Sequence, residues 1–192
     1  MQCPKLIWCD YNAKHLFPEV DDGLQAVFDQ GHDVGSLAKM MFPSGVEIDT
    51  DPKDFEGAIQ LTKIHLPSRR PIFEATLSAN GGYARADILN PVGKDEWDLI
   101  EVKSTTSRKD VHIPDLAFQT WVFTEAGIKI RQCFLCHINN QFVRHGEINP
   151  KEFFTLRDVT AEVGQMSGEI EERISEMGKI IQFDVTSLFQ AS

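Results

Sequence analysis

The sequence predicts an α+β fold in one domain of 192 residues, because its hydrophobic pattern changes period several times along the chain. Helical spacing dominates the first third, strand-like alternation with turn residues dominates the middle, and an acidic helical stretch follows. With 42% hydrophobic residues, the chain can bury a core, which excludes disordered and fibrous architectures. We expect one domain over 1–192, with a helical segment over 1–66, a core over 67–150 and a helical segment over 151–192.

The N-terminal segment is predicted to hold two helices. Apolar residues from Leu24 to Met41 recur at roughly helical spacing, and the turn-forming residues 43–45 end that stretch. A second helix is expected from Pro52 to His65, before the turn-forming and basic residues 67–71. These signals favour a helical layer on one side of whatever follows.

Three antiparallel strands are predicted next, over 72–79, 82–89 and 97–103. Asn80 and two glycines form a hairpin signal between the first two strands, because these residues accept positive φ at low cost. Side chains alternate along a strand, so one face of the second strand should carry Tyr83, Arg85, Asp87 and Leu89. By the same rule, one face of the third strand should carry Trp97, Leu99, Glu101 and Lys103.

The remaining elements are a helix that begins at Pro114 and ends at Gly127, a strand over 128–138 and a helix from about Val159 to Ile181. Residues 139–146 are expected to be the hairpin partner of the strand that precedes them. Together these elements predict a small central sheet flanked by helices.

Pairing that places Asp87 beside Glu101 would gather two carboxylates and the Lys103 ammonium in a small volume. Hard oxygen ligands of this kind suit Mg²⁺ or Mn²⁺. Such an ion binds phosphodiester oxygens and lowers the pKa of water, while a lysine orients that water or neutralises developing charge. The residues therefore suggest phosphodiester hydrolysis, with a surface acid and an exposed Glu/Lys pair as the alternative interpretation.

The ordered set Asp87, Glu101-Val102-Lys103 and Gln119 resembles the PD-(D/E)XK nuclease superfamily. The helical Gln is similar to that of its RecB-like branch, which includes the CRISPR-associated adaptation exonucleases. The resemblance covers about residues 70–145 and implies a restriction-endonuclease-like core. It implies Asp87 and Glu101 as metal ligands, Lys103 as the catalytic lysine and Gln119 as a residue that organises site or substrate. Phe123 stands where the branch has Tyr in Gln-x-x-x-Tyr, so the ring is kept and the hydroxyl is lost.

Two further residues are candidate metal ligands. Glu74 on the first strand either joins the site as an additional acid or faces solvent. RecB-like enzymes also supply a His from an N-terminal helix, and His32 is the best local candidate. In the family this His follows a Gly by several residues, whereas His32 comes directly after Gly31, which favours a surface His over a ligand.

The net charge of −10 argues against a nucleic-acid partner, but its distribution weakens that argument. Residues 1–60 carry −7 and residues 151–192 carry −4, whereas residues 61–150 carry +1. Basic residues in or near that central segment could contact phosphates, with solvated loop charges as the alternative. The candidates are Arg69, Arg70, Arg85, Arg108 and Lys109.

The four cysteines, at positions 3, 9, 133 and 136, are too few for a disulfide scaffold, so we expect thiols or metal ligands and a cytoplasmic protein. Some relatives in the resembled family carry a [4Fe–4S] cluster held by one N-terminal and three C-terminal cysteines. The count matches here, but the two-and-two placement does not. Cys133 and Cys136 should also point to opposite faces of their strand, which favours buried thiols over a cluster or zinc site.

We therefore expect a Mg²⁺- or Mn²⁺-dependent nuclease that hydrolyses DNA phosphodiester bonds, without a membrane partner. One rival is a nucleic-acid-binding module of the same fold that performs no chemistry, and divalent-metal binding distinguishes it. The other rival is a protein-interaction domain, against which salt-dependent DNA binding would count.

Overall fold

The computed structural model describes residues 4–106 and 112–183. Its helices are α1 (Pro4–Asn12), α2 (Asp22–Lys39), α3 (Phe55–His65), α4 (His112–Glu125), α5 (Pro150–Phe153) and α6 (Thr160–Ile181). Its strands are β1 (Val46–Glu47), β2 (Ile72–Ala79), β3 (Gly82–Val92), β4 (Glu96–Lys103), β5 (Lys129–Ile138) and β6 (Phe154–Asp158). The predicted α+β class, a central sheet flanked by helices after an N-terminal helical region, is confirmed.

The six described strands form one mixed sheet in the order β1-β2-β3-β4-β5-β6. β2, β3 and β4 are successive antiparallel strands, as the sequence predicts. The next strand, β5, returns parallel to β4, because α4 crosses over the sheet between them. β1 lies parallel to β2 at one edge, and β6 lies antiparallel to β5 at the other.

The core has one apolar layer on each face of the sheet. On the first face, Leu99 and other strand residues pack with residues of α3, α4 and α6, among them Leu116 and Phe123. On the second face, Ile88 and Ile100 pack with Val34 and Ala38 of α2. The central strands are therefore covered on both sides, which holds their buried polar residues between two helical layers.

Local signals set the ends of several helices. The Asp21 carboxylate accepts a hydrogen bond of 2.7 Å from the Leu24 amide and caps α2, and Asp54 caps α3 through the Gly57 amide at 2.9 Å. Gly127 follows α4 with a φ of 90°, the left-handed conformation that favours glycine at a helix end. This end of α4 is where the sequence predicts it.

Three details of the sequence prediction are wrong. Residues 139–146 do not form a strand, and the partner of β5 is β6. The segment after residue 150 is consequently not all helical. β6 buries one residue, Phe154, and its apolar alternation is limited to Phe154 and Leu156, which is too short to identify a strand. The N-terminal segment also contains β1, whose two residues are too few to show any period.

Strict alternation also fails within β2 and β3. Ile72, Ala75 and Leu77 lie in the first core layer, so the alternation of β2 shifts by one residue at Glu74, which has a φ of 57°. In β3, Ala86 and Leu89 both lie in that layer, so the alternation shifts near Asp87. Burial alternates regularly as far as Asp87 and breaks at Ile88 and Leu89, so the predicted shared face of Asp87 with Leu89 is wrong. The two irregularities face each other, since the flanking pairs are Phe73 with Ile88 and Ala75 with Ala86.

None of the helices in the described ranges is both long enough and apolar enough to cross a membrane.

Replacing Phe123 with alanine should test how far the core depends on α4. Phe123 is fully buried, and we expect the Phe123→Ala variant to lose about 3–5 kcal/mol of unfolding free energy. Urea denaturation measures the loss, and Thr124→Ala, at the exposed neighbouring position, should change the stability by less than about 0.5 kcal/mol. Equal effects of the two variants would contradict this packing.

Candidate active site

The candidate active site lies where β3 and β4 part. Their regular pairing ends at Ile88 and Ile100, although the same register would next oppose Asp87 and Glu101. Instead, Oδ2 of Asp87 accepts a hydrogen bond of 2.6 Å from the backbone amide of Val102. The carboxylate thus replaces the backbone carbonyl of a strand partner as the acceptor. This hydrogen bond holds the Asp87 side chain in the gap between the two strands.

Glu101 is 7% exposed, yet both of its carboxylate oxygens have donors. The Lys103 ammonium donates to Oε1 at 2.6 Å, and the Gln119 side-chain amide of α4 donates to Oε2 at 2.8 Å. A buried carboxylate is costly unless such partners compensate for its lost hydration. The lysine two residues along β4 and the helix that covers the sheet therefore hold Glu101 in one orientation.

A third carboxylate, that of Glu74, lies on the α2 side of the sheet. Oε1 of Glu74 accepts a hydrogen bond of 2.8 Å from the Lys39 ammonium, which also reaches Glu47 at 2.6 Å. Glu74 and Asp87 line one cavity of about 250 Å³, together with His32 of α2. The Glu74 carboxylate therefore lies next to Asp87 and is only partly exposed.

The charges of these residues act strongly on one another. Burial, and next the charge of Glu101, raise the pKa of Asp87 well above its ordinary value, although the Val102 amide acts in the opposite direction. For Lys103, burial lowers the pKa, but attraction to Glu101, Asp87 and Asp115 outweighs it, so the pKa is raised. The site is therefore crowded with negative charge, and Lys103 stays protonated at neutral pH.

The structure brings Asp87, Glu101, Lys103 and Gln119 together and places His32 and Glu74 in the adjoining cavity. Phe123 lies one turn beyond Gln119 and is fully buried, so its ring packs in the core instead of reaching the site. Burial explains why a side chain without a hydroxyl is suited to this position.

The basic candidates occupy different places. Arg69 donates to the carbonyls of Val92 and Glu96 and covers the ring of Trp97, four residues or about 13 Å along β4 from Glu101. Arg70 donates to the Ser44 carbonyl. These contacts give both side chains a structural role. Arg85 lines a cavity next to Gln119, whereas Arg108 and Lys109 lie outside the described residues.

Sequence reasoning missed Lys39. A lysine in the last turn of an amphipathic helix usually contacts the last carbonyls or solvent, so its position gives no signal of a site. Lys39 is the cation nearest to Glu74 in the structure, and the two carboxylates raise its pKa even though burial, the largest influence, lowers it. A signal would have required knowing that α2 packs over the sheet at β4 and brings Lys39 to Glu74 of β2.

The described cysteines are free thiols. Cys133 lies in the first core layer and Cys136 in the second, on the opposite faces that the strand alternation predicts. Burial, and to a smaller extent Asp87, raise the pKa of Cys136 to about 12, so it remains a neutral thiol. Among the described residues, no group of three or more His, Cys, Asp and Glu side chains is placed so that it could hold a metal ion.

Comparisons with known proteins add little. No protein family model matches the chain, and no curated protein matches it. A solved structure described as "Crystal structure of SSO0001" has 12% sequence identity and a TM-score of 0.29, over 88% of this chain and 85% of that one. At that TM-score the similarity carries no argument about fold or function.

The raised pKa of Asp87 predicts how stability depends on pH in the presence of a chelator. The native state holds this proton to a higher pH than the unfolded chain, whose value is near 3.8. The resulting stabilisation is complete below that value and is lost as the pH rises through the native pKa. Asp87→Asn should therefore melt at a higher temperature than the wild type at pH 7, and the difference should vanish near pH 3.

Asp95→Asn is the matched control in this thermal denaturation experiment. Asp95 is exposed, and its hydrogen bond with Lys129 lowers its pKa, so its replacement should not stabilise the protein at pH 7. If Asp87→Asn is no more stable than the wild type at pH 7, the crowding of charge around Asp87 is not as the structure indicates.

Proposed function

We propose that the protein is a nuclease that hydrolyses DNA phosphodiester bonds with Mg²⁺ or Mn²⁺. The observation that carries the proposal is the arrangement of side chains at the gap between β3 and β4. Asp87 accepts a hydrogen bond from the Val102 amide there, and Glu101 accepts hydrogen bonds from Lys103 and Gln119. The order of these residues is also that of the PD-(D/E)XK motif, whose RecB-like branch the sequence resembles.

The donor set fits a hard divalent cation. Asp87 has one carboxylate oxygen without a hydrogen-bond partner among the described residues, and burial together with the charge of Glu101 raises its pKa, so a cation beside this carboxylate would be stabilising. Glu101 keeps acceptor capacity, because each carboxylate oxygen has two lone pairs. Mg²⁺ is commonly held by one or two carboxylates, with water and substrate phosphate completing its shell, so a complete protein cage is not needed. When bound, the ion would polarise the phosphodiester and lower the pKa of water.

The chain's own residues would supply position and charge. Because Lys103 is protonated, it acts as a cation that orients water or stabilises the charge that develops on the phosphate, and not as a general base. Gln119, on α4, holds the Glu101 carboxylate in place, so this carboxylate does not have to become ordered when substrate binds. On the α2 side, Lys39 offsets the charge of Glu74.

The substrate and setting are also part of the proposal. The acidic flanks do not exclude DNA, since Arg85 lines a cavity that also includes Gln119 of the site, and a bound divalent ion would offset the carboxylates. Free thiols at Cys9, Cys133 and Cys136 are compatible with a reducing compartment, which supports a cytoplasmic location.

Cleavage of labelled single- and double-stranded DNA tests the activity directly. We expect the wild type to cut in Mg²⁺ or Mn²⁺ and EDTA to abolish cutting. Lys103→Ala and Glu101→Gln should each lower the rate by at least about a hundredfold, because each removes a group that positions or stabilises the reacting phosphate. The controls are Lys129→Ala and Glu96→Gln, which change the same side-chain types at exposed positions. Cleavage that persists in both site variants would contradict this centre.

Metal binding is measured separately by thermal denaturation with Mn²⁺. An ion that binds the native state stabilises it by about 2.7 kcal/mol at a hundredfold excess over Kd, a rise of roughly 5 °C or more for a chain of this length. Asp87→Asn should abolish most of that rise, and Asp95→Asn should leave it unchanged. A wild type that neither gains stability with Mn²⁺ nor cleaves DNA would favour a non-catalytic module of the same fold.

A further inference from the structure

A second cavity, of about 330 Å³, lies between β3, α4 and α6 and shares Gln119 with the candidate active site. Its polar and aromatic lining comes from Tyr83, Arg85, Asp115, Phe118, Gln119 and Arg173. Because Gln119 also donates to Glu101, a molecule in this cavity that contacts Gln119 would lie one side chain away from the Glu101 carboxylate.

Two residues that line the cavity carry buried polar atoms without hydrogen-bond partners. These are Oε1 of Gln119 and the hydroxyl of Tyr83. Rotating the Gln119 amide does not relieve the first, because its nitrogen would then leave Glu101 and an oxygen would face the carboxylate. A buried polar atom without a partner is destabilising, and two such atoms on residues that line one cavity favour a ligand that supplies hydrogen bonds.

The charge of the cavity favours an anion at its edge. Among the described residues, the Arg85 guanidinium has no hydrogen-bond or ion-pair partner. Within the same residues, the Arg173 guanidinium pairs only with Glu169, one turn away on α6. Asp115 is the single carboxylate in the lining, so the two arginines outweigh it. Arginine binds phosphate through paired donors, which makes this edge suitable for a backbone phosphate.

The remaining lining is apolar and includes one aromatic ring. Phe118 is partly buried against the core, and Ile170 and Met177 of α6 contribute aliphatic surface. A planar base can stack on such a ring, and stacking tolerates any sequence because every base has a π-face.

We propose that this cavity binds one nucleotide of single-stranded DNA next to the phosphate that is cleaved, with the base on Phe118 and the backbone phosphate near Arg85 and Arg173. Gln119 and Tyr83 would satisfy polar edges of the base or sugar. The proposal rests on the proposed nuclease function and adds a substrate class to it. A cavity of this size is at the lower end of small-ligand pockets and has no room for a stacked duplex. A nucleotide must therefore leave the double helix, or come from a single strand, to enter.

The test is oligonucleotide binding in EDTA, which separates this site from metal binding and cleavage. The probes are short single-stranded DNAs that each carry the fluorescent base 2-aminopurine at one position, which is moved along the series. Fluorescence anisotropy measures binding, and quenching of 2-aminopurine reports stacking of that base. We expect quenching at one position. Phe118→Leu should abolish this quenching and bind roughly tenfold more weakly, the loss of one base stack, while Phe17→Leu makes the same change at an exposed site. A duplex of the same sequence should bind more weakly than the single strand.

Arg173→Gln provides a second variant that does not touch the core. It should weaken binding and flatten the dependence of affinity on salt, whereas Arg157→Gln, at an exposed position on β6, should do neither. The cavity is not a nucleotide site if the wild type does not bind the probe, or if Phe118→Leu and Arg173→Gln bind as the wild type does. Cleavage with unchanged binding in these variants overturns the subsite alone. Position-specific quenching without cleavage supports the subsite and overturns the nuclease function alone.

Discussion

The candidate site depends on one hydrogen bond in the sheet, in which a side-chain carboxylate replaces a backbone carbonyl as the acceptor. At the point where β3 and β4 would pair next, the Val102 amide donates to the Asp87 carboxylate and not to a backbone carbonyl. An acid that satisfies a buried amide cannot move without leaving that donor unpaired, which is costly in a low-dielectric interior. The position of Asp87 is thus fixed by the backbone of the neighbouring strand, and the other charged groups are arranged around it.

This arrangement concentrates negative charge around Asp87. Asp87 lies between Glu74 on one strand and Glu101 on the next, and both raise its pKa. A lysine compensates for each of these two glutamates. Lys103 donates to Glu101 from the same strand, and Lys39 donates to Glu74 from α2. Each lysine neutralises an outer acid, while the central one has no cation as a hydrogen-bond partner. This uneven compensation is the reason that the metal ion is proposed to bind at Asp87.

The sequence predicts those parts of the structure that have a local cause. Leu99 and Ile100 lie on opposite faces of β4, so the shared direction of Glu101 and Lys103 follows from strand geometry. The end of α4 follows from Gly127. The backbone distortion at Glu74 has no such signal, because glutamate is not a residue that favours positive φ. β6 and Lys39 are likewise set by partners distant in the sequence. What the sequence could not predict is therefore the tertiary contact that brings α2 and the last strand to the sheet.

Gln119 shows how the two sides of the site depend on each other. Its amide nitrogen must face Glu101, because an oxygen there would oppose a carboxylate, so its own oxygen must face elsewhere and finds no partner. The contact that orders the carboxylate thus creates an unsatisfied acceptor one side chain away. Such an acceptor persists only where the surrounding packing fixes it, as α4 does here between the sheet and α6. A ligand that donates to this oxygen would stabilise the same orientation of Gln119 that holds Glu101, so occupation of the cavity and order of the carboxylate should reinforce each other.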